Sequence, residues 1–200
     1  MNEVGAYGRP RVQTKFIFMT DNKMRTEILN IDKGQCLTDV LPAIPANTIF
    51  DKTITGCGAT HSEIVNAARH SIIIEPNIPV ILGKKAEHPF LFAVYEGITK
   101  EDVKAYLAGE HDGYRKIITT PEGFDKKVLP AMHELEIPVY KDYFLLFDEC
   151  EKAIQDVGYR GDIYLPVEDF FKFENKAMVS ATPIVPSDPR FEQQGFTMKI

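Results

Sequence analysis

Short apolar runs alternate with polar, Gly- and Pro-punctuated segments along most of this chain. KFIFMT (15–20) and TEILNI (26–31) are rich in β-branched and aromatic residues, and DNKMR between them supplies turn residues, which predicts a β-hairpin. Asp32 is placed to cap a short helix through GQCLTDVL, after which Pro42 and Pro45 break the pattern. From Asn47 a rhythm sets in. NTIFDKTI reads as a strand running into a Gly-containing loop. SEIVNAAR reads as a helix with Ile64, Val65 and Ala68 on one face. HSIIIEP is a short, wholly apolar strand expected to be buried on both sides, and PFLFAVYEG is another strand. ITKEDVKAYLAG is a helix with an acidic first turn and Gly109 at its end. YRKIITTP is a strand that stops at Pro121, and FDKKVLPAMHELE a helix interrupted by Pro130. YFLLFDE is a strand, CEKAIQDVG a helix, and KAMVSATP the last strand.

Strands alternating with helices imply a mostly parallel sheet covered on both faces. Right-handed crossovers make that sheet doubly wound, with its ligand site outside the carboxyl ends of the strands. The polar stretches TGCGAT, EPN, TTPEG, DECE and SATP all fall at those ends. The expected organisation is a tail (1–14), hairpin and short helix over residues 1–46, packed on an α/β domain over residues 47–200.

Composition narrows the class. The chain has 200 residues, 44% hydrophobic and 26% charged, which suits one soluble globular domain. Its formal net charge of -6 argues against strong autonomous nucleic-acid binding, which depends on cationic neutralisation of phosphates. Three cysteines, Cys36, Cys57 and Cys150, share no metal-ligand spacing and fit a reducing, cytoplasmic compartment. The start, MNEVGAYGRPRV, lacks the apolar core of a signal peptide, and no apolar run approaches the roughly 20 residues needed to cross a bilayer.

Two stretches suggest chemistry. In GCGAT (56–60), glycines after a strand permit a sharp turn whose backbone N–H groups make an anion site, with Thr60 as a first-turn Mg²⁺ ligand. The same glycines also suit a plain tight turn. In FLLFDECE (144–151), Asp148 and Glu149 end a buried strand. They are placed to hold Mg²⁺ and to orient or deprotonate a water, or else to cap the following helix. Ser180 and Thr182 are placed to bring two hydroxyls near these acids, or else Ser-Ala-Thr is a plain turn. Glu75 reads as solvated surface at a strand end, His61 as an ordinary helix residue, and Lys84 and Lys85 as a solvated turn.

Taken together, these residues resemble the first RecA-like domain of superfamily 2 helicases of the DEAD/DEAH-box type, over roughly residues 47–183. Thr53-Ile54-Thr55-Gly56-Cys57-Gly58-Ala59-Thr60 is similar to that family's phosphate-binding motif, DECE to its Mg²⁺- and water-handling motif, and Ser180-Ala181-Thr182 to its coupling motif. The resemblance implies a P-loop fold that binds ATP with Mg²⁺. Thr55, Gly56, Cys57, Gly58, Ala59 and Thr60 would cradle the nucleotide, Thr60 and Asp148 would hold the metal, and Asp148 and Glu149 would be catalytic. Ser180 and Thr182 would couple hydrolysis to movement, and Pro76, Asn77, Thr120 and Pro121 would contact DNA or RNA. It also implies strands inserted between the phosphate-loop strand and its successor, where a flavodoxin-like order would have none. The chain departs from the family in Ala59, which stands where the motif has a phosphate-binding lysine. It also reaches only to about where a second RecA-like domain, with its arginine finger, would begin. Two readings follow: the nucleotide-binding half of a helicase-like ATPase, with weak or no hydrolysis alone, completed by a second RecA-like domain or partner chain; or a non-catalytic helicase-like module for partner binding or assembly.

Overall fold

Successive residues of the central strands pack against opposite faces of one sheet, and this alternation divides the hydrophobic core in two. A computed structural model describes residues 15–17, 24–32, 35–52, 58–150, 167–182 and 188–200. Its strands are β1 (Lys15–Ile17), β2 (Arg25–Ile28), β3 (Thr48–Asp51), β4 (His70–Ile74), β5 (Phe92–Val94), β6 (Lys116–Thr119), β7 (Tyr143–Phe147), β8 (Asn175–Ser180) and β9 (Thr197–Lys199). Ile72 and Ile74 of β4 join one apolar cluster with Leu145 and Phe147 of β7; Ile73 joins the other with Phe144 and Leu146. A period-2 pattern that is apolar at every position marks a strand covered on both sides. Each fully buried aliphatic or aromatic side chain contributes about 1.5–3 kcal/mol.

The spatial order is β1-β2-β9-β3-β8-β7-β4-β6-β5. β1 and β2 pair antiparallel, as the hairpin pattern predicts, and every other neighbouring pair is parallel. β8 and β7 stand between β3 and its successor β4, so the sheet has the inserted strands of a doubly wound RecA-like fold and not a flavodoxin-like order. KAMVSATP is not the last strand: β9 follows it and lies between β2 and β3, tying the hairpin to the main sheet.

The helices are α1 (Leu37–Val40), α2 (Ala59–Val65), α3 (Ile78–Glu87), α4 (Lys100–Ala108), α5 (Pro121–Gly123), α6 (Leu129–Glu134), α7 (Val139–Asp142), α8 (Val167–Lys172) and α9 (Pro189–Gln193). Residues of α1, α2 and α3 cover one face, and those of α4, α6, α7, α8 and α9 the other. Several boundaries differ from the sequence pattern for local reasons. Cys36, not Asp32, is the N-cap of α1, and its backbone N–H donates to the Asp39 carboxylate. α2 stops at Val65, whose side chain is exposed. Asn66 leaves helical geometry and accepts from the Ala68 N–H, so Ala68 is exposed beyond the helix. Pro130 does not interrupt its helix. A π-helical turn, Phe124–Val128, precedes it and joins α5 to α6, in keeping with the donor that proline lacks. Lys84 and Lys85 lie in the last turn of α3, which the sequence pattern did not reveal. The helix read at CEKAIQDVG lies outside the described residues beyond Cys150. Among the described residues, no helix is long and apolar enough to cross a membrane.

Candidate functional site

The carboxyl ends of β3 and β7 are two strand spacings apart, about 10 Å, with β8 between them. Side chains from both ends nevertheless meet. Asp148 follows β7 and is buried; its backbone N–H extends the ladder to the Ile74 carbonyl at 2.9 Å. One carboxylate oxygen accepts from Lys52 Nζ at 2.8 Å and from the Glu149 N–H at 3.0 Å. The other accepts from the Thr60 hydroxyl on α2. Glu149 also lies 3.2 Å from Lys52 Nζ. Its φ of 50° is left-handed, a conformation that costs a non-glycine residue about 1–3 kcal/mol and clusters at functional sites.

The sequence placed Asp148, Glu149 and Thr60 together, and the structure brings them together. Lys52 is the residue it missed. Its signal was available in the β3 pattern: Phe50 faces the α1–α3 side, so the residue two further on shares that face. The backbone N–H of Lys52 donates to the Ser180 carbonyl at 2.8 Å, and its side chain is only 10% exposed. Burial alone would lower the ammonium pKa, but Asp148 and then Glu149 outweigh it and raise it above the ordinary lysine value.

A cavity of about 460 Å³ opens on this cluster; Lys52, Gly58, Ala59, Thr60, Asp148 and Glu149 line it together with Cys36, Thr38, His61, Glu75, Asn77, Val80 and Lys84. Gly58 is the N-cap of α2 with a φ of 87°, a geometry that a side chain rarely adopts. Thr55, Gly56 and Cys57 lie outside the described residues. Glu75 is not solvated surface but 2% exposed. Burial raises its pKa; the two donations from Asn77, at 2.9 Å and 2.8 Å, oppose that rise, and the Asp148 charge adds to it.

The remaining predicted residues are bound up locally. Ser180 donates its hydroxyl to the Thr182 carbonyl at 2.6 Å and accepts from the Thr182 N–H at 3.0 Å, a closed turn that occupies the Ser180 hydroxyl; Thr182 is exposed. Thr120 caps α5 by accepting from the Gly123 N–H at 3.0 Å, with Pro121 in the first helical position. Pro76 sits between Glu75 and Asn77, half-buried.

The donors Thr60, Asp148 and Glu149 are all oxygens, the set a hard cation such as Mg²⁺ prefers. Among the described residues, no group of three or more His, Cys, Asp or Glu could hold a metal on its own.

No family model and no curated protein matches this sequence. Among solved structures, the helicase domain of Hef from Pyrococcus furiosus is similar over 77% of this chain, with a TM-score of 0.45 and 13% identity. This chain spans 35% of the length of that one.

Proposed function

We propose that this chain is a helicase-like, ATP-binding domain that holds the phosphates of ATP or ADP with Mg²⁺ in the cavity between β3 and β7. The observation that carries the reading is the junction of Thr60, in the first turn of the helix that follows β3, with Asp148 just past β7, although β3 and β7 are not neighbours. A tight structural turn at Gly58 and a capping role for the acids each explain one side of that junction, but neither explains why the two sides meet.

The charge balance of the cavity supports a metal-dependent mode. Among the described residues that line it, Glu75, Asp148 and Glu149 are met by Lys52 and Lys84 as the lysines and arginines. An unaccompanied triphosphate meets net repulsion there, and a divalent cation reverses it. Thr60 and Asp148 are the residues to hold that ion, which supplies charge neutralisation to the phosphates when bound. Glu149 is the group to orient or deprotonate a water. Ala59 is buried and apolar and offers nothing to the β- and γ-phosphates, so hydrolysis by the isolated chain is weak or absent. An arginine from a second RecA-like domain or partner chain would raise it. DNA or RNA contact belongs to that fuller assembly, given the net charge of -6.

Calorimetric titration of the nucleotide with Mg²⁺ tests the reading, with Asp148→Ala as the variant that loses binding. A chain that shows no nucleotide effect and instead associates with a partner would support a non-catalytic module, the reading that Ala59 also permits.

A further inference from the structure

We propose that Lys52 is the phosphate-binding cation of this site, supplying from the tip of β3 the charge that position 59 lacks. This inference rests on the nucleotide-binding reading above and adds a residue that the helicase-type motif does not assign.

Position 59 cannot be rescued by its own surroundings. Ala59 packs into the apolar cluster with Leu37, Phe50 and Ile64. The other lysines near the cavity are turned elsewhere: Lys84 Nζ lies 3.5 Å from Glu87, and Lys85 Nζ donates to the Pro89 carbonyl at 2.7 Å. Lys52 alone among these lysines reaches the acids at the β7 tip, and it lines the same cavity as Thr60.

Three features suit it to a phosphate. An ammonium carries three N–H donors. Asp148 and Glu149 engage two, and the third has no acceptor among the described residues. The Lys52 backbone is fixed by the Ser180 carbonyl, so its place at the strand tip does not depend on the ion pairs. The lysine stem is flexible and its charge compact, so the head can shift from the carboxylates toward a phosphate beside Thr60 without moving its Cα. Ser180 thereby acquires a positioning role through its carbonyl, although its hydroxyl is spent on its own turn.

The test compares ADP binding, with Mg²⁺ present, in the intact chain, in Lys52→Met and in Lys52→Met/Ala59→Lys, each checked for folding by thermal unfolding without nucleotide. Lys52→Met should weaken binding by about 10- to 100-fold, the worth of a hydrogen bond to a charged group. The double variant should recover most of the loss, because a lysine returns to the loop. Equal affinity in the wild type and a folded Lys52→Met chain overturns this inference and leaves nucleotide binding standing; no binding by the wild type removes both. Should Lys52→Met fail to fold, the comparison is made in a Glu149→Gln background, where one fewer carboxylate is left unpaired. A tenfold or greater loss is again expected, and an unchanged affinity again overturns it.

Discussion

Charged residues buried away from the candidate site show what this molecule tolerates in its interior. Glu63 is fully buried at the opposite rim of the sheet, where Arg69, Ser71 and Lys116 surround it, and the Arg69 guanidinium lies 3.4 Å from the centre of the Phe144 ring. Among the described residues, Lys176 has no such acid beside it. It donates to the Phe173 carbonyl at 2.8 Å beside the Phe196 ring, and burial pulls its pKa down to about 8. Lys116, buried next to Glu63, is likewise drawn down to about 8. The sign of the effect on stability follows by linkage. Below pH 8 the folded chain bears the full cost of a buried ammonium. Between pH 8 and the ordinary lysine value of 10.5, the unfolded chain binds more protons than the folded one, so stability rises with pH. Lys176→Met should therefore be most advantaged over wild type at or below pH 8, and that advantage should shrink as pH climbs to 10.5. Thermal unfolding across this range checks it; a difference that does not vary with pH would contradict the assignment. At the same scale, Asp148, Glu149 and Thr60 were legible in the sequence because each ends or follows a recognisable element. Lys52 was missed: the alternation of β3 gives the face it shares with Phe50, but its pairing with Asp148 spans two strand spacings and is not encoded in that local pattern.

At the scale of elements, strong periodic or fully apolar segments were legible and short ones were not. Every position of β6 and β7, and every position of β4 after His70, is buried, and α4 carries a complete capping box, with Thr99 and Asp102 bonding reciprocally. α3 was hidden by Pro79 and Gly83, and it buries only Ile81 fully, so it has no apolar stripe. β9 is three residues long and owes its existence to pairing with β2 and β3. The TTPEG segment shows how an apparent motif can be settled by packing. A Cβ at Gly123 would lie 2.5 Å from the Thr119 hydroxyl and 3.2 Å from both the Thr120 hydroxyl and the Val94 carbonyl. Helix propensity favours alanine over glycine by about 1 kcal/mol. Overpacking against a buried strand costs about 1–3 kcal/mol. Gly123→Ala should thus lower stability in urea by roughly 1 kcal/mol. A stabilised variant would show that the strand end yields, and that Gly123 is not required by packing.

The whole molecule depends on a closing strand far along the chain. β9 stands between the hairpin and β3, and Phe196 just before it packs with Phe170, Phe171 and Phe191 at ring-centre distances of 4.9–6.3 Å. Without β9, β2 loses its parallel partner, and β3, which carries Lys52 at its tip, becomes an open edge. A chain ended at Gly195 should lose at least about 3 kcal/mol of stability, from the Phe196 side chain and the vacated ladder, and should tend to aggregate. An unchanged urea midpoint for that chain would mean that the hairpin and β9 are accessories. The doubly wound layout itself was legible from alternating elements, and the strand insertion that separates β3 from β4 agrees with the RecA-like resemblance. The position of the final strand was not legible, since sequence order says nothing of where a three-residue strand inserts.

The proposed grip on one magnesium-bound nucleotide lies where Thr60 meets Asp148, with Glu149 beside it. Calorimetric titration of ADP with Mg²⁺ into the intact chain tests it most directly. The account predicts saturable heat that is lost when the metal is chelated and lost again in Asp148→Ala. No heat and no nucleotide-dependent thermal shift from the folded wild-type chain would contradict it.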